Sequence, residues 1–291
     1  MKNLHVWSDG HFLHMDKAKT ELLAHGLHYG TGVFEGIRSY PTERGPAIFR
    51  LHDHMKRFSA GAEALAMEVD VDAMGQGALG LLRLNDQQSA YVRPLSFFET
   101  GGLGLDVDCL KVRSMVATLP WKSHLGDADE DVGVKLTASS RRRTPATSVP
   151  PLKLCGNYVN SILAKLEATR RGFDEALFLD QDGFVCEATG ENVFIVKNGA
   201  VTAVEHCDAL AGITRATVLT LTGAESRAVH VSELKEADEV FLTGTSAEVA
   251  RVSEFDGRVY EQNSVTKEVA TLYQDVVHGR SPHSDQWLTW A

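Results

Sequence analysis

No stretch of this 291-residue chain approaches the roughly twenty consecutive apolar residues that span a bilayer. Its opening residues, MKNLHVWSDGHFLHMDKAK, lack the apolar core of a secretory signal. Both absences point to a cytoplasmic protein without a membrane partner. Cysteine is scarce: Cys109, Cys155, Cys186 and Cys207 are scattered, form no CxxC pair and read as reduced thiols. Excess positive charge is missing too. The formal net charge of -10 favours solubility and argues against a nucleic-acid partner. The one basic run, Arg141-Arg142-Arg143, reads as a solvated loop. Spaced metal ligands are also lacking. His52 and His54 would point to different sides of a helix, and His206-Cys207 are adjacent, so no metal is expected. There are no repeats and no low-complexity linker.

What is present suits a globular chain of one large or two modest domains, with apolar material enough for a real core. Residues 3–7 and 11–15 read as strands around Ser8-Asp9-Gly10, and Ala47–Arg50 as another. From His52 the recurrence of Met55, Phe58, Ala62 and Leu65 predicts a helix. Ser89–Phe98 and Val112–Leu119 read as strands. The polar, acidic stretch 122–131 is the candidate interdomain linker, separating a small N-terminal α/β domain (1–121) from a larger C-terminal one (132–291). In the second domain a strand (Val132–Ala138) and a Pro-containing loop (139–151) precede a helix over about 157–171. Ile162, Leu163 and Leu166 are expected on the buried face of that helix. Strands Glu175–Leu179 and Phe184–Ala188, a hairpin around Asn198-Gly199, a helix from Ile213 to about Leu221, and strand Val240–Thr243 follow. The fold class is α+β, a mixed α/β chain.

Lys153, flanked by Leu152 and Leu154 after a loop, is not an obvious surface lysine. Burial would lower its pKa and leave a nucleophilic amine. The alternative is a stem lying on apolar surface with its head in water, and the segment alone favours that. Glu187 and Glu191 flank the turn signal Thr189-Gly190 and read as surface charges or as acids at a strand end. Gly212-Ile213-Thr214 opens a helix whose start could bind phosphate or be only a cap. Gly244-Thr245-Ser246 is a second candidate anion loop, and Arg57 is either a phosphate clamp or solvated.

Taken in order, these segments resemble a known family. His28-Tyr29-Gly30-Thr31-Gly32-Val33-Phe34-Glu35-Gly36-Ile37-Arg38 resembles the HYGxxxFEGIR signature of class IV pyridoxal-phosphate aminotransferases, in its branched-chain form. Tyr91-Val92-Arg93-Pro94 resembles the family's YxRP strand, and Lys153 with Gly156-Asn157-Tyr158 its Schiff-base lysine and GNY. Glu187 through Phe194 resembles ExxxxNxF, Ala209–Arg215 resembles LPGITR, and Gly244–Glu248 resembles GTAAE. The resemblance implies a two-domain fold type IV enzyme with pyridoxal 5'-phosphate between the smaller and larger domains.

It further implies that Lys153 bonds the cofactor and shuttles a proton, that Glu187 pairs with the pyridine nitrogen, and that Tyr158 bonds O3′. Arg57, Ile213, Thr214 and Thr245 would hold the phosphate, and Leu210 would pack on the ring. Phe34, Tyr158 and Trp121 would form the apolar part of the substrate pocket. Tyr29 and Leu105 would come from a neighbouring subunit of a homodimer, or of a larger assembly of dimers. Thr245 and Ser246 would take the α-carboxylate. Arg93, beside Tyr91, would take the γ-carboxylate of glutamate. The implied reaction moves the amino group of leucine, isoleucine or valine to 2-oxoglutarate by a ping-pong route. Departures from the pattern are Leu154 and Cys155 near the lysine, His124 where a tyrosine is common, and Ser246 for alanine. They keep open a D-amino-acid or (R)-amine transaminase on the same scaffold, with an aminodeoxychorismate lyase ranked below.

Overall fold

A computed structural model describes residues 4–120 and 132–291, so Trp121, His124 and the candidate linker 122–131 lie outside the described residues. The chain divides into two compact units. The first comprises Met1–Trp121, Leu152–Gly156 and Val276–Ala291; the second comprises Lys122–Pro151 and Asn157–Asp275. The segment bearing Lys153 thus groups with the first unit, although most of its sequence neighbours belong to the second.

The first unit is built on β1 (His5–Ser8), β2 (His11–His14), β3 (Gly32–Phe34), β4 (Ile37–Thr42), β5 (Gly45–Phe49), β6 (Ala90–Phe98) and β7 (Val112–Pro120). Its sheet runs from a C-terminal strand, Leu288–Trp290, through β5, β4, β6, β7 and β1 to β2, with β3 also on β6. Positive φ at Asp9 and Gly10 closes the first hairpin, as a tight turn requires. β3 and β4 pair with consecutive stretches of β6, at Phe34↔Leu95 and Ile37↔Val92, and the ladder breaks at Glu35-Gly36 without a change of register. Pro94 of β6 has no N–H to give a partner strand and lies opposite that break.

Helices α1 (His25–Tyr29), α2 (Leu51–Ala64) and α3 (Val71–Leu84) belong to the same unit. The periodic Met55, Phe58 and Ala62 of α2 are buried as expected, while Leu65 falls at its C-cap. Asp70 caps α3 by accepting from the Ala73 amide. A Cβ on Gly77 would come within 2.7 Å of the Trp7 ring, so a glycine lets α3 lie close on β1.

The second unit contains β8 (Val134–Ala138), α4 (Tyr158–Arg170), β9 (Glu175–Leu179), β10 (Val185–Ala188), β11 (Asn192–Lys197), β12 (Ala200–Val204), α5 (Ile213–Thr222), β13 (Glu225–Arg227), α6 (Val231–Glu236), β14 (Glu239–Gly244), β15 (Glu248–Phe255), β16 (Arg258–Val259) and α7 (Ser264–Val277). The sheet order is β10, β9, β8, β15, β14, β11, β12, β13, with β16 on β15. β11 reads as a continuous apolar run because both its faces are covered. Val193 and Ile195 join one core with Leu136, Leu177, Leu242 and Tyr260, while Phe194 and Val196 join another with Val218, Phe241 and Val269. The Phe194 and Phe241 rings stack at 4.8 Å.

The expected buried face of α4 is corrected here. Ser161, Ala164 and Ala168 are buried, and Ile162, Leu163 and Leu166 are exposed. Small residues win the inward face because α4 lies close on β9, where Ala164 and Ala168 meet Ala176 and Phe178.

Helix propensity alone would make Gly77→Ala stabilising by about 1 kcal/mol. Against the Trp7 ring the added methyl is instead expected to lower the melting temperature, by overpacking worth about 1–3 kcal/mol. Circular-dichroism melts check this, and a raised melting temperature would contradict the close helix–sheet approach.

Candidate active site

In the first unit the candidate residues gather around β3. The segment 152–156 is annealed to that strand: Val33 and Leu154 form an antiparallel bridge, and the Phe34 amide donates to the Lys153 carbonyl at 3.1 Å. The Gly156 amide donates to the Gly30 carbonyl at 3.1 Å. Gly30 has a positive φ of 67°, and a Cβ there would strike the Gly156 backbone at 2.9 Å, so only glycine meets both demands. Lys153 is half-buried, with Nζ 4.9 Å from the centre of the Phe34 ring. The Arg93 guanidinium lies 4.7 Å from the same ring, and its Nη2 donates to the Tyr91 hydroxyl at 2.8 Å. An amine, an aromatic wall and a guanidinium therefore face one another. Tyr29 and Leu105 are exposed, and the Tyr29 hydroxyl donates to the Leu103 carbonyl at 2.6 Å.

Arg57 projects from α2 and forms a fork with the fully buried Glu35, Nε to Oε1 at 2.6 Å and Nη2 to Oε2 at 2.9 Å. His54 Nδ1 lies 2.8 Å from the same Oε2. Burial alone would raise the Glu35 carboxyl, but the Arg57 charge and the hydrogen bonds outweigh it and hold that group far below the usual carboxylate range. Burial pushes His54 toward its neutral form against the pull of Glu35, so it contributes an N–H rather than a full charge.

In the second unit the candidates gather at the ends of β10, β11 and β14. Glu187 and Glu191, read as surface charges or strand-end acids, are both buried. Glu187 Oε1 is 2.7 Å from Arg143 Nε, and Oε2 accepts from the Leu210 amide at 3.0 Å. The expectation of a solvated arginine run fails at its last member. Arg141 and Arg142 are exposed, but Arg143 turns inward because the buried Glu187 carboxylate requires a counter-charge. The turn before α5 is pinned by Asn192, whose Nδ2 donates to the Leu210 carbonyl at 3.0 Å, and Asn192 Oδ1 occupies the place of any Cβ at Gly212.

No side chain caps α5, its first turn holds no acid, and Ile213 and Thr214 are buried. Asn192 faces Thr243 in the β11–β14 register, and the buried Thr243 Oγ1 has no hydrogen-bond partner among the described residues. Thr245 and Ser246, half-buried, form the turn after β14, and Tyr158 opens α4, also half-buried. An uncapped helix start beside threonine hydroxyls is the donor chemistry an anionic phosphate needs, so these residues fit the phosphate-bearing cofactor that the sequence pattern implies.

His206, Cys207 and Asp208 bring ligand atoms within 4.8 Å of one another despite their adjacency, but His206 Nδ1 already accepts from the Asp208 amide at 3.1 Å.

Residues 32–255 match the family described as amino-transferase class IV. The branched-chain-amino-acid aminotransferase of Pseudomonas aeruginosa is 38% identical, over 98% of this chain and 96% of that protein. The T.th. branched-chain amino acid aminotransferase, solved with pyridoxamine 5'-phosphate, matches with a TM-score of 0.94 and 41% identity, covering 100% of this chain and 99% of that one. The Escherichia coli branched-chain enzyme matches with a TM-score of 0.91 and 32% identity, over 99% of each chain. This chain belongs to the class IV aminotransferases.

Sequence reasoning about this aminotransferase assigned no role to Glu35, His54, Arg143 or Asn192. The three-residue spacing of His54 and Arg57 was the available signal for the first pair, since it places both on one side of α2. Nothing local marked Arg143. Glu191 shares its surroundings with Glu175, which accepts from Lys165 Nζ and the Thr189 hydroxyl, each at 2.6 Å.

Burial, with the Glu175 charge added, pushes the Glu191 carboxyl up from its ordinary 4.5 to about 7. A value raised on folding stabilises most below the unfolded pKa, and the contribution is lost as pH rises through the folded one. Glu191→Gln removes that loss. The melting temperature of the variant relative to wild type is therefore expected to climb between about pH 5 and about pH 8. A pH-independent difference would contradict the assignment.

Proposed function

We propose that this aminotransferase moves the amino group of leucine, isoleucine or valine to 2-oxoglutarate by a ping-pong route with pyridoxal 5'-phosphate. The observation that carries the reading is the wall around Lys153: the Phe34 ring lies under its Nζ, with Arg93 4.7 Å from the same ring. One pocket must accept an apolar side chain in one half-reaction and a second carboxylate in the other. An aromatic face with an arginine at its edge suits both. The substrates named for the Pseudomonas aeruginosa relative point the same way.

The bound cofactor supplies a ring that takes up the electron pair left when the substrate Cα–H bond breaks. Lys153 Nζ would anchor the cofactor and, once free of it, would carry the proton removed from Cα. Glu187, its oxygens held by Arg143 and the Leu210 amide, would pair with the pyridine nitrogen. Arg57, the Ile213 and Thr214 amides and Thr245 would hold the phosphate, Tyr158 would bond O3′, and Leu210 would pack on the ring. Thr245 and Ser246 amides orient the α-carboxylate, while Arg93 with Tyr91 takes the γ-carboxylate of the acceptor. Phe34 supplies the apolar wall.

A homodimer fits the large apolar side chains exposed at Leu22, Leu23, Leu27 and Leu105, and separately on α4 at Val159 and Ile162. In it Tyr29 and Leu105 serve the neighbouring subunit. Among the described residues no helix is long and apolar enough to cross a membrane. All four cysteines are free thiols, which supports a reducing, cytoplasmic setting.

Lys153→Ala is expected to abolish transamination from L-leucine to 2-oxoglutarate while leaving the circular-dichroism melt intact. Wild-type turnover in that variant would overturn the proposal. Arg93→Ala is expected to lower kcat/KM for 2-oxoglutarate about 10- to 100-fold more than for 4-methyl-2-oxopentanoate, because only the former loses a charge-assisted bond. Equal losses would remove Arg93 from its role.

A further inference from the structure

Glu35 is a fully buried carboxylate in the short link between β3 and β4, which is an expensive place for one. Taking an ion out of water costs several kcal/mol, and the pair formed seldom does more than offset that cost. Apolar residues of similar volume would hold α2 against the sheet as well. The surroundings of Glu35 indicate what the charge achieves. Its two oxygens accept from Arg57 Nε at 2.6 Å, Arg57 Nη2 at 2.9 Å, His54 Nδ1 at 2.8 Å and the Gly36 amide at 3.2 Å. The fork fixes both the position and the plane of a guanidinium that would otherwise sample many rotamers. His54, one turn earlier on α2, holds the same carboxylate from the side.

The backbone of the same stretch holds something else. Val33 bridges Leu154, the Phe34 amide donates to the Lys153 carbonyl at 3.1 Å, and the Glu35 amide donates to the Pro94 carbonyl at 3.0 Å. Val33 and Phe34 therefore grip the lysine segment through main chain, and the next residue, Glu35, grips Arg57 through its side chain.

We propose that Glu35 is a positioning residue that sets the Arg57 guanidinium in register with Lys153, so that the cofactor phosphate meets an arginine already oriented. The proposal rests on the reading of Arg57 as a phosphate donor. Pre-orientation acts on ligands that carry the phosphate and is indifferent to those that lack it.

The test compares pyridoxal 5'-phosphate with pyridoxal, which lacks the phosphate. Dissociation constants for both are measured by absorbance titration of cofactor-depleted wild-type, Glu35→Gln, Glu35→Asp and Arg57→Leu proteins. Glu35→Gln is expected to weaken pyridoxal 5'-phosphate about 10- to 100-fold, the size of a charge-assisted contact, and to leave pyridoxal within about two-fold. Glu35→Asp keeps the charge but shortens the reach by one methylene and breaks the fork. It is expected to show the same selective loss and carries the test if the glutamine variant does not fold. Equal weakening of both ligands would make Glu35 merely structural and overturn the proposal, as would no change in either. Arg57→Leu separates the two ideas. If it spares the preference for pyridoxal 5'-phosphate over pyridoxal, the reading of Arg57 itself fails. If it abolishes that preference while both Glu35 variants keep it, only the positioning role fails.

Discussion

The backbone bridge between β3 and residues 152–156 is the constraint on which the first unit's chemistry depends. Lys153 has no helix or strand of its own to fix it. It is placed because Val33 and Leu154 pair and because the Phe34 amide donates to the Lys153 carbonyl. The glycines around it follow from that approach. Gly30 turns with a positive φ against the Gly156 backbone, and a Cβ at Gly32 would press on the Cys155 sulfur and the Ser96 carbonyl. The same strand then presents Phe34 to Lys153 and to Arg93, so a main-chain contact determines which side chains surround the amine.

The second unit relies on buried charge and on one asparagine. Arg143 and the Leu210 amide hold Glu187, and Asn192 fixes the turn leading into α5. Buried ionic groups contribute little net stability, but each fixes a geometry that an apolar residue would leave loose. Both units follow this pattern, Glu35 with Arg57 in one and Glu187 with Arg143 in the other. The residues expected to touch cofactor are thus oriented by partners that are not expected to touch it.

Much of this was legible in the chain. Period-two and period-3.6 patterns located most strands and α2, and Asn198-Gly199, both with positive φ, closed the predicted hairpin. The ordered motifs led to the family. What stayed hidden has physical causes. The exposed Ile162, Leu163 and Leu166 imitate a buried face, whereas the true inner face uses alanine and serine because the helix packs close. Helix α3 carries three glycines, which lower helix propensity, yet two of them leave room for Trp7 and Phe12. Arg143 and Glu191 read as surface charges because their partners lie distant in sequence or in an acidic pair that periodicity does not report.

The wall formed by Lys153, Phe34 and Arg93 suits the apolar side chain of a branched-chain amino donor. The most direct test is the absorbance of the protein loaded with pyridoxal 5'-phosphate, recorded after separate additions of L-leucine, D-alanine and (R)-1-phenylethylamine. L-leucine alone is expected to bleach the band of the lysine-bound cofactor, and 2-oxoglutarate to restore it. Bleaching by D-alanine or the (R)-amine in place of L-leucine would contradict the branched-chain reading.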